Sequence, residues 1–470
     1  MTETAVPTVV PSPVGEGVDL SRVHFVGIGG SGMLPLARVC AARGLTVSGS
    51  DVRPEAAGEE LAALGVRVLS GQQAWHVPGD ATAVVFTHAV GADNPEIREA
   101  QRRGIPLVHR SMALDAVMEG RTAIGVTGTH GKTSTTGMLA SALSHEGCAP
   151  SYVLGGRFAD GDLGGRHGAG KLFVAEVDES DRTLVNTRVD IAVIPSVGFD
   201  HPENYRDLAA HLDAYEEFAG RMRPGGTVVL HVGSDVGSDG GRELAERLRR
   251  DGVQLVAVGG GPEVDWRVEG ARTDARGSRG VLHGPDGATY PLELRVLGAH
   301  QVHNAACAVA AAHAAGVDPG IVARKLVSSA GVRRRLSPVP GVAWAYDSFA
   351  HHPVEVAADL AAAREVAAGG RVLVVFQPAG RARLNAFGPE LGRALAAADE
   401  VVLTGAPDGA ARLGHTGVVE EDRAAAVAYV AQAARPGDVV LLMGTGDLVD
   451  HGHLLADATA RSAELVGAAA

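Results

Sequence analysis

The chain has 470 residues, of which 46% are hydrophobic and 21% charged, a composition typical of a globular protein with room for about three domains. Its net charge of −13 disfavours general attraction to nucleic acid or to an anionic membrane surface. There is no apolar run as long as a membrane-spanning helix, no pattern of an export signal and no metal-type pairing among the three cysteines. We therefore expect a reduced, cytoplasmic protein with small-molecule ligands.

A loose tail over residues 1–20 precedes a unit typical of dinucleotide-binding folds. A short strand over residues 23–27 leads into a glycine-rich turn and a helix that extends to about residue 42. Asp51 follows roughly 20 residues beyond the turn, where a carboxylate can accept hydrogen bonds from a ribose. The turn itself contains Gly27, Gly29, Gly30, Ser31 and Gly32. Taken alone, this unit favours an NAD-dependent oxidoreductase, but no hydride-transfer partner follows it.

A second polar loop follows the next apolar run of this unit. Residues 84–86 predict a buried strand, and Thr87 and His88 stand directly after it, at an end of the strand suited to a polar ligand. For His88, a ligand contact and an ordinary surface position are both open.

The strongest local signal lies at residues 122–136. An apolar run over residues 122–126 predicts a buried strand, the small residues after it require a turn, and a helix is predicted over residues 132–145. Strand, glycine-rich turn and helix form a phosphate cradle in which backbone N–H groups, a lysine and a threonine hydroxyl meet a triphosphate and its magnesium. The residues concerned are Gly128, Thr129, His130, Gly131, Lys132, Thr133 and Ser134. Lysine occurs at only three positions in the chain, so its use at this one indicates a specific need for a compact cation.

Two later segments predict the metal side of this site. Glu176 ends a buried strand over residues 172–175, where a carboxylate can hold magnesium, whereas Glu179 and Asp181 are interpreted as a solvated loop or helix caps. A strand over residues 191–194 precedes Asp200 and His201, and His201 could join the metal shell with Asp200 orienting it.

The rest of the chain predicts more of the same architecture. Residues 232–291 have weak alternating patterns and are expected at the edge of the central domain. His300 and His303 open an alanine-rich helix and are expected near the nucleotide, and the basic run at 333–335 either counters triphosphate charge or forms an exposed hinge. From about residue 340, strands and helices alternate again, with polar loops at 347–353, 377–383 and 444–447 that suggest an open binding edge facing the phosphate loop.

The order of these motifs resembles that of the Mur ligase family, most closely its alanine-adding branch. The series is G-x-G-G-x-G-M, G-T-H-G-K-T, E-x-D-E-S-D, D-H, G-x-H-x-x-x-N, R-R, A-H-H-P, F-Q-P and G-x-G-D. The resemblance implies an α/β fold of three domains, namely a Rossmann-like UDP-sugar domain (21–119), a central P-loop ATPase domain with a mainly parallel sheet (120–336) and a Rossmann-like amino-acid domain (337–470).

The resemblance also implies a reaction and roles for individual residues. The lactyl carboxylate of UDP-N-acetylmuramate would attack the γ-phosphate of ATP, and the amine of alanine would take the acyl phosphate to give an amide, ADP and phosphate. Lys132, Glu176 and His201 would be catalytic, with magnesium held by Thr133, Glu176 and His201. The nucleotide would also contact Asn304, Arg335 and Asp347. The UDP-sugar would bind the first glycine turn, Asp51, Thr87 and His88, and the amino acid would bind His351, Arg381 and Arg383.

Departures from the family pattern concern the substrates. Residues 196–199 read Ser-Val-Gly-Phe where an amide and a carboxylate are usual, and Gly380 stands in place of an arginine unless Arg381 takes its role. Thr87 and His88 replace two serines. A paralogue that joins a different acid or amino acid, for example in specialised metabolism, is therefore a close alternative. A nucleotide switch without ligase activity is disfavoured, because the chain has two further ligand-like domains. The expected assembly is a monomer or homodimer.

Overall fold

The computed structural model describes residues 17–145, 147–233, 239–405, 409–414 and 417–456, so most of the predicted tail lies outside it. Three separate sheets contain its strands. All three are mainly parallel and carry helices, which confirms the three-domain α/β prediction. The exact domain limits stay a prediction; the third sheet begins at Arg335, just before the expected boundary.

The first domain is a five-stranded parallel sheet with helices on both faces. In chain order its elements are β1 (Arg22–Val26), α1 (Met33–Ala42), β2 (Thr46–Asp51), α2 (Gly58–Ala62), β3 (Arg67–Ser70), β4 (Ala83–Phe86), α3 (Pro95–Arg103), β5 (Leu107–His109) and α4 (Arg110–Met118). The strand order β3-β2-β1-β4-β5 puts the glycine turn after β1 and the loop after β4 side by side, because these two strands are neighbours.

The central domain contains a ten-stranded sheet. Its elements are β6 (Thr122–Val126), α5 (Lys132–His145), β7 (Ser151–Val153), β8 (Gly165–Arg166), β9 (Leu172–Glu176), β10 (Ile191–Ile194), α6 (Leu208–Gly220), β11 (Thr227–His231), α7 (Gly241–Arg250), β12 (Gln254–Gly259), β13 (Trp266–Asp274), β14 (Gly277–His283), β15 (Thr289–Leu294), α8 (Ala299–Ala314) and α9 (Pro319–Lys325). The order is β15-β14-β13-β12-β11-β10-β6-β9-β7-β8, so β6 lies between β9 and β10. The segment expected at the edge forms the antiparallel strands β13 to β15 there.

The third domain is a six-stranded sheet, parallel except where β16 pairs with β17. Its elements are β16 (Arg335–Val339), β17 (Val342–Ser348), α10 (Pro353–Ala367), β18 (Val372–Gln377), α11 (Arg381–Leu395), β19 (Glu400–Leu403), α12 (Gly409–Leu413), β20 (Val418–Val419), α13 (Arg423–Ala433) and β21 (Val439–Gly444). The three polar loops expected at a binding edge follow β17, β18 and β21, which are adjacent strands.

The first and central domains pack closely against each other. Helix α1 lies on β8, where a Cβ atom added to Gly165 would be only 2.3 Å from the carbonyl oxygen of Pro35. A side chain at Gly165 would therefore push the two domains apart, and one apolar core continues from α1 into the central sheet.

Candidate active site

The phosphate loop has the backbone that its sequence requires. Gly128 and Gly131 have φ angles of +120° and +82°, which side chains rarely tolerate. A Cβ atom at Gly128 would be 2.7 Å from the carbonyl oxygen of Ser196, and one at Gly131 would be 2.5 Å from Asn304 Oδ1. Both glycines are therefore needed for the loop to lie against its neighbours. Thr129 also holds the phosphate loop against the segment that contains Ser196, since its hydroxyl donates to the Gly198 carbonyl at 2.9 Å.

Lys132 begins α5 and points back over the loop. Its Nζ donates to the Gly128 carbonyl at 2.8 Å and lies 2.7 Å from Glu179 Oε1. Burial lowers the pKa of Lys132, but the Glu179, Asp178 and Glu176 carboxylates outweigh that effect, so the net pKa is raised and the ammonium stays charged. The interpretation of Glu179 as a solvated loop residue is wrong: its side chain is fully buried as the partner of Lys132.

Glu176 and Thr133 meet beside Lys132, as the sequence predicts. The Thr133 hydroxyl donates to Glu176 Oε1 at 3.1 Å, and the Gly155 N–H donates to Oε2 at 2.8 Å. Burial raises the pKa of Glu176 against the opposing pull of Lys132, so its carboxylate lies where a cation would be stabilising. A hard cation such as Mg²⁺ fits these oxygen ligands. The described residues contain no cluster of three or more His, Cys, Asp and Glu residues arranged for a metal. The predicted magnesium ligands Thr133, Glu176 and His201 include only two residues of these kinds, since the third is a threonine.

His201 and Asp200 connect the central domain to the third. His201 Nε2 is 3.5 Å from Glu179 Oε1, and its φ of 53° turns the chain sharply there. Burial lowers the pKa of His201, but the Glu179 and Asp200 carboxylates raise it by more, so the net shift of this pKa is upward. Arg383 donates to both carboxylate oxygens of Asp200, at 3.1 and 2.8 Å. Despite burial, His201 and Arg383 hold the pKa of Asp200 at about 2.

A cavity of about 360 Å³ opens beside the phosphate loop, between α8 and α10. Its lining includes His130, Gly131, Ser134, Asn304 and Arg335 from the predicted nucleotide set, together with His300. The basic residues Arg334 and Arg335 line this cavity and the neighbouring cleft, which fits the role of countering phosphate charge. His303 instead contacts His231, with 2.9 Å between Nδ1 and Nε2.

Sequence reasoning missed Glu355, a largely buried carboxylate that lines this cavity together with Asp359. Its Oε1 lies 3.4 Å from His130 Nδ1 and 3.6 Å from Arg335 Nη1, and its Oε2 lies 3.5 Å from His351 Nδ1. Burial would raise the pKa of Glu355, but the interactions with His351, His130 and Arg335 hold it well below its usual value. Its position in the first turn of α10, directly after the predicted A-H-H-P motif, is the only sequence signal that could have indicated it.

Asp347 lines the neighbouring cleft, the one that Arg334 and Arg335 also line. Its Oδ2 is 3.6 Å from Arg334 Nε. Burial raises the pKa of Asp347 to about 6, against the opposing effect of Arg334. The side chain can therefore accept or donate a hydrogen bond near neutral pH.

The first domain contributes a pocket of about 470 Å³ at its glycine turn. Gly27, Gly30, Ser31, Gly32, Asp51, Thr87 and His88 line it, so the predicted sugar-nucleotide residues come together. Asp51 also accepts the Gly29 N–H at 2.9 Å, and thereby closes the turn. Arg110, which the sequence did not single out, lies against Gly32 in the same pocket.

The interpretation of Asp181 as a solvated loop residue or a helix cap is wrong: its side chain is buried and makes one contact within its own turn and others across the domain boundary. Its Oδ1 accepts the Thr183 N–H at 3.0 Å. Its Oδ2 lies 3.1 Å from His88 Nδ1 and 3.3 Å from His109 Nε2, both in the first domain. The acidic loop 178–181 therefore touches the sugar-nucleotide pocket as well as Lys132.

On the third domain, His351 and Arg383 line the cleft, whereas Arg381 is exposed at the first residue of α11. The unusual loop 196–201 packs against this domain: the Phe199 and Phe387 rings have centroids 5.7 Å apart, and His352 Nε2 lies 3.1 Å from the Phe199 carbonyl oxygen. The departure at Phe199 thus provides an apolar contact between domains.

These features define a class: a P-loop enzyme of three domains in which residues of both flanking domains line a cleft at the phosphate loop. Three family models match the chain, described as Mur ligase family, catalytic domain (residues 22–122), Mur ligase middle domain (126–312) and Mur ligase, glutamate ligase domain (334–446). The chain belongs to the Mur ligase family.

Similar proteins include the UDP-N-acetylmuramate--L-alanine ligases of Streptomyces griseus and Kineococcus radiotolerans, each 41% identical. The alignments cover 93% and 94% of this chain and 97% of each relative. Among solved structures, UDP-N-acetylmuramate-alanine ligase from Thermotoga maritima aligns with a TM-score of 0.76 and 27% identity, over 94% of this chain and 99% of that one. A murein peptide ligase from Psychrobacter arcticus shares the fold, with a TM-score of 0.68 and 22% identity over 93% of this chain and 98% of that one. No helix in the described parts of the chain has the length and apolar character needed to cross a membrane.

Proposed function

We propose that this chain joins L-alanine to UDP-N-acetylmuramate with cleavage of ATP to ADP and phosphate, a step of peptidoglycan precursor synthesis in the cytoplasm. One observation supports this most directly. A cleft of about 860 Å³ is lined by Ser31 of the first domain, Lys132 of the phosphate loop and Arg383 of the third domain. Such a cleft can hold an acid, a triphosphate and an amino acid next to one another.

The reaction needs two displacements. First, a carboxylate oxygen of the sugar nucleotide attacks the γ-phosphorus of ATP, and the bond to ADP breaks, which leaves an acyl phosphate. Then the amine nitrogen attacks the acyl carbon, phosphate leaves and the nitrogen loses a proton. Such phosphoryl transfer depends on positioning and on neutralising charge. Lys132 supplies a fixed positive charge at the phosphates, and the loop N–H groups hold their oxygens.

Thr133 and Glu176 would hold Mg²⁺, with His201 as a further ligand in its neutral form, since an imidazole must lose its proton to bind a metal. The ion, when bound, neutralises phosphate charge and orients the phosphate oxygens. Glu179 then has a role of its own, since it positions the ammonium of Lys132 through the 2.7 Å contact.

The decisive assay supplies ATP, magnesium, UDP-N-acetylmuramate and a panel of amino acids, and measures ADP release and the amide product. We expect ADP release to require both the acid and the amine, with alanine giving the fastest turnover. Steady ATP hydrolysis without either substrate would indicate a switch or another ATPase. Product with another amino acid, but none with alanine, would overturn the proposal in favour of a paralogue, which the missing side chain at Gly380 keeps open.

The same assay distinguishes the two candidate arginines of the third domain. We expect Arg383→Ala to raise the KM for alanine by roughly ten- to hundredfold, because a charge-assisted contact with the carboxylate of the substrate alanine is lost. Arg381→Ala is the matched control and should change this KM little, because Arg381 is exposed whereas Arg383 lines the cleft. A large effect of Arg381→Ala with a small effect of Arg383→Ala would reverse the assignment.

A further inference from the structure

Two cations of the first domain face the pocket at the glycine turn, and each is paired with a carboxylate of the central domain. His88 Nδ1 lies 3.1 Å from Asp181 Oδ2, and Arg110 Nη2 lies 3.2 Å from Asp178 Oδ2. Both carboxylates belong to the loop 178–181. The Arg110 guanidinium lies directly against the turn, since its Nη1 would be 3.1 Å from a Cβ atom at Gly32. The glycine at this position therefore leaves room for the guanidinium.

We propose that His88 and Arg110 form a two-cation clamp for the diphosphate of the sugar nucleotide, and that Asp181 of the central domain keeps the His88 arm charged. This inference rests on the proposed function and adds which part of the substrate these residues hold. A diphosphate is the one part of such a substrate that carries two negative charges in a small volume. It suits two cations placed beside a turn made of glycine and serine.

The geometry leaves one nitrogen of His88 for the ligand. Because Nδ1 is directed at Asp181, Nε2 is the atom that can donate to a phosphate oxygen, and the side chain remains 57% exposed in the pocket. Asp181 itself is buried, with 6% of its side chain exposed. An ionised carboxylate in such a position needs a positive partner, and His88 and His109 are the two imidazoles placed to provide it.

The charges around His88 favour its protonated form. The hydrogen bond to Asp181 is the largest influence and raises the pKa of His88, whereas partial burial lowers it. The Asp178 carboxylate raises this pKa further and Arg110 lowers it, with a net upward shift. Affinity for a dianionic diphosphate should therefore be highest at low pH and should fall as the pH rises through the raised pKa of His88. The diphosphate itself does not titrate over that range.

The test is a direct binding measurement on the full chain. UDP-N-acetylmuramate is titrated calorimetrically from about pH 5.5 to 9, with and without a non-hydrolysable ATP analogue, so that no turnover occurs. For the wild type we expect the dissociation constant to increase with pH by roughly tenfold or more. His88→Ala should bind about tenfold more weakly at low pH and lose most of this dependence. His88→Lys should restore the affinity without the pH dependence, because an ammonium stays charged throughout.

Asp181→Asn tests the role of this carboxylate through the midpoint of the pH profile, which should not change if Asp181 were purely structural. Losing the carboxylate should shift the midpoint of the pH profile to lower pH, toward the ordinary pKa of histidine, even if the affinity at low pH changes little. His283→Ala is the matched control, because His283 pairs with Glu269 on the β14 hairpin, away from the pocket.

The outcomes separate this inference from the proposed function. If the wild type does not bind UDP-N-acetylmuramate at any pH, the proposed function fails and the clamp with it. If the wild type binds but His88→Ala has the same affinity and pH profile, the clamp is wrong and the function stands. An unchanged midpoint in Asp181→Asn would overturn the role of the central-domain carboxylate.

Discussion

Replacing Lys132 with alanine is expected to lower the rate of ADP formation by about a thousandfold or more. The Lys132 ammonium lies over the phosphate loop, where it meets negative charge that builds up as the γ-phosphate is transferred. Lys132→Arg keeps the charge but not the compact shape, and we expect it to remain strongly impaired. The measurement is steady-state turnover with saturating ATP and both other substrates.

The control for this experiment must address Glu179. Removing Lys132 alone leaves a fully buried carboxylate without its ammonium, which can cost about 3–5 kcal/mol of folding free energy. The double variant Lys132→Ala/Glu179→Gln removes the stranded charge, and thermal unfolding should show that it recovers stability without recovering activity. Lys171→Ala, at an exposed position, is the matched lysine control. Near-normal turnover in the folded double variant would contradict the assigned role.

Much of the fold was predictable because its signals are local. The helix predicted over 132–145 is α5 with the same limits, since apolar spacing and the preceding glycine turn both specify it. The predicted strand over 191–194 is β10. The strands β13 to β15 were not individually predicted, because their residues alternate weakly and the chain there is rich in glycine. Their pairing at the sheet edge is set by contacts between distant segments.

The candidate site likewise contains residues with a local sequence signal and residues whose role depends on contacts between distant segments. Thr133 and the loop glycines were predictable because a phosphate loop makes its main contacts within a few residues. Glu179 was misjudged because an acidic loop looks the same in sequence whether solvent or a buried lysine faces it. Glu355 was missed since its partners come from three separate segments, as His130, Arg335 and His351 show. Only the packing of the third domain against the phosphate loop brings them together.

Glu176→Gln is expected to abolish turnover, by about a thousandfold, while leaving the free protein as stable as the wild type or more so. Burial raises the pKa of Glu176 above its usual value, so the ionised carboxylate costs folding free energy at neutral pH when no cation is bound. The amide avoids that cost and can still accept the Gly155 N–H. The gain should be present at neutral pH and should vanish as the pH falls and Glu176 in the wild type becomes protonated.

Thermal unfolding with and without magnesium and ATP measures both halves of this prediction. The wild type should gain stability when the ligands are added, and Glu176→Gln should gain much less, because its site no longer carries the charge that holds the ion. Glu217→Gln, at an exposed carboxylate paired with Arg221, is the matched control and should behave like the wild type. If Glu176→Gln were less stable than the wild type without ligands, yet gained as much from magnesium and ATP, Glu176 would be a structural residue. A cation site requires a carboxylate that lowers the stability of the protein without the ion and raises it with the ion bound. The reason is that the ion supplies the positive charge that the carboxylate otherwise lacks.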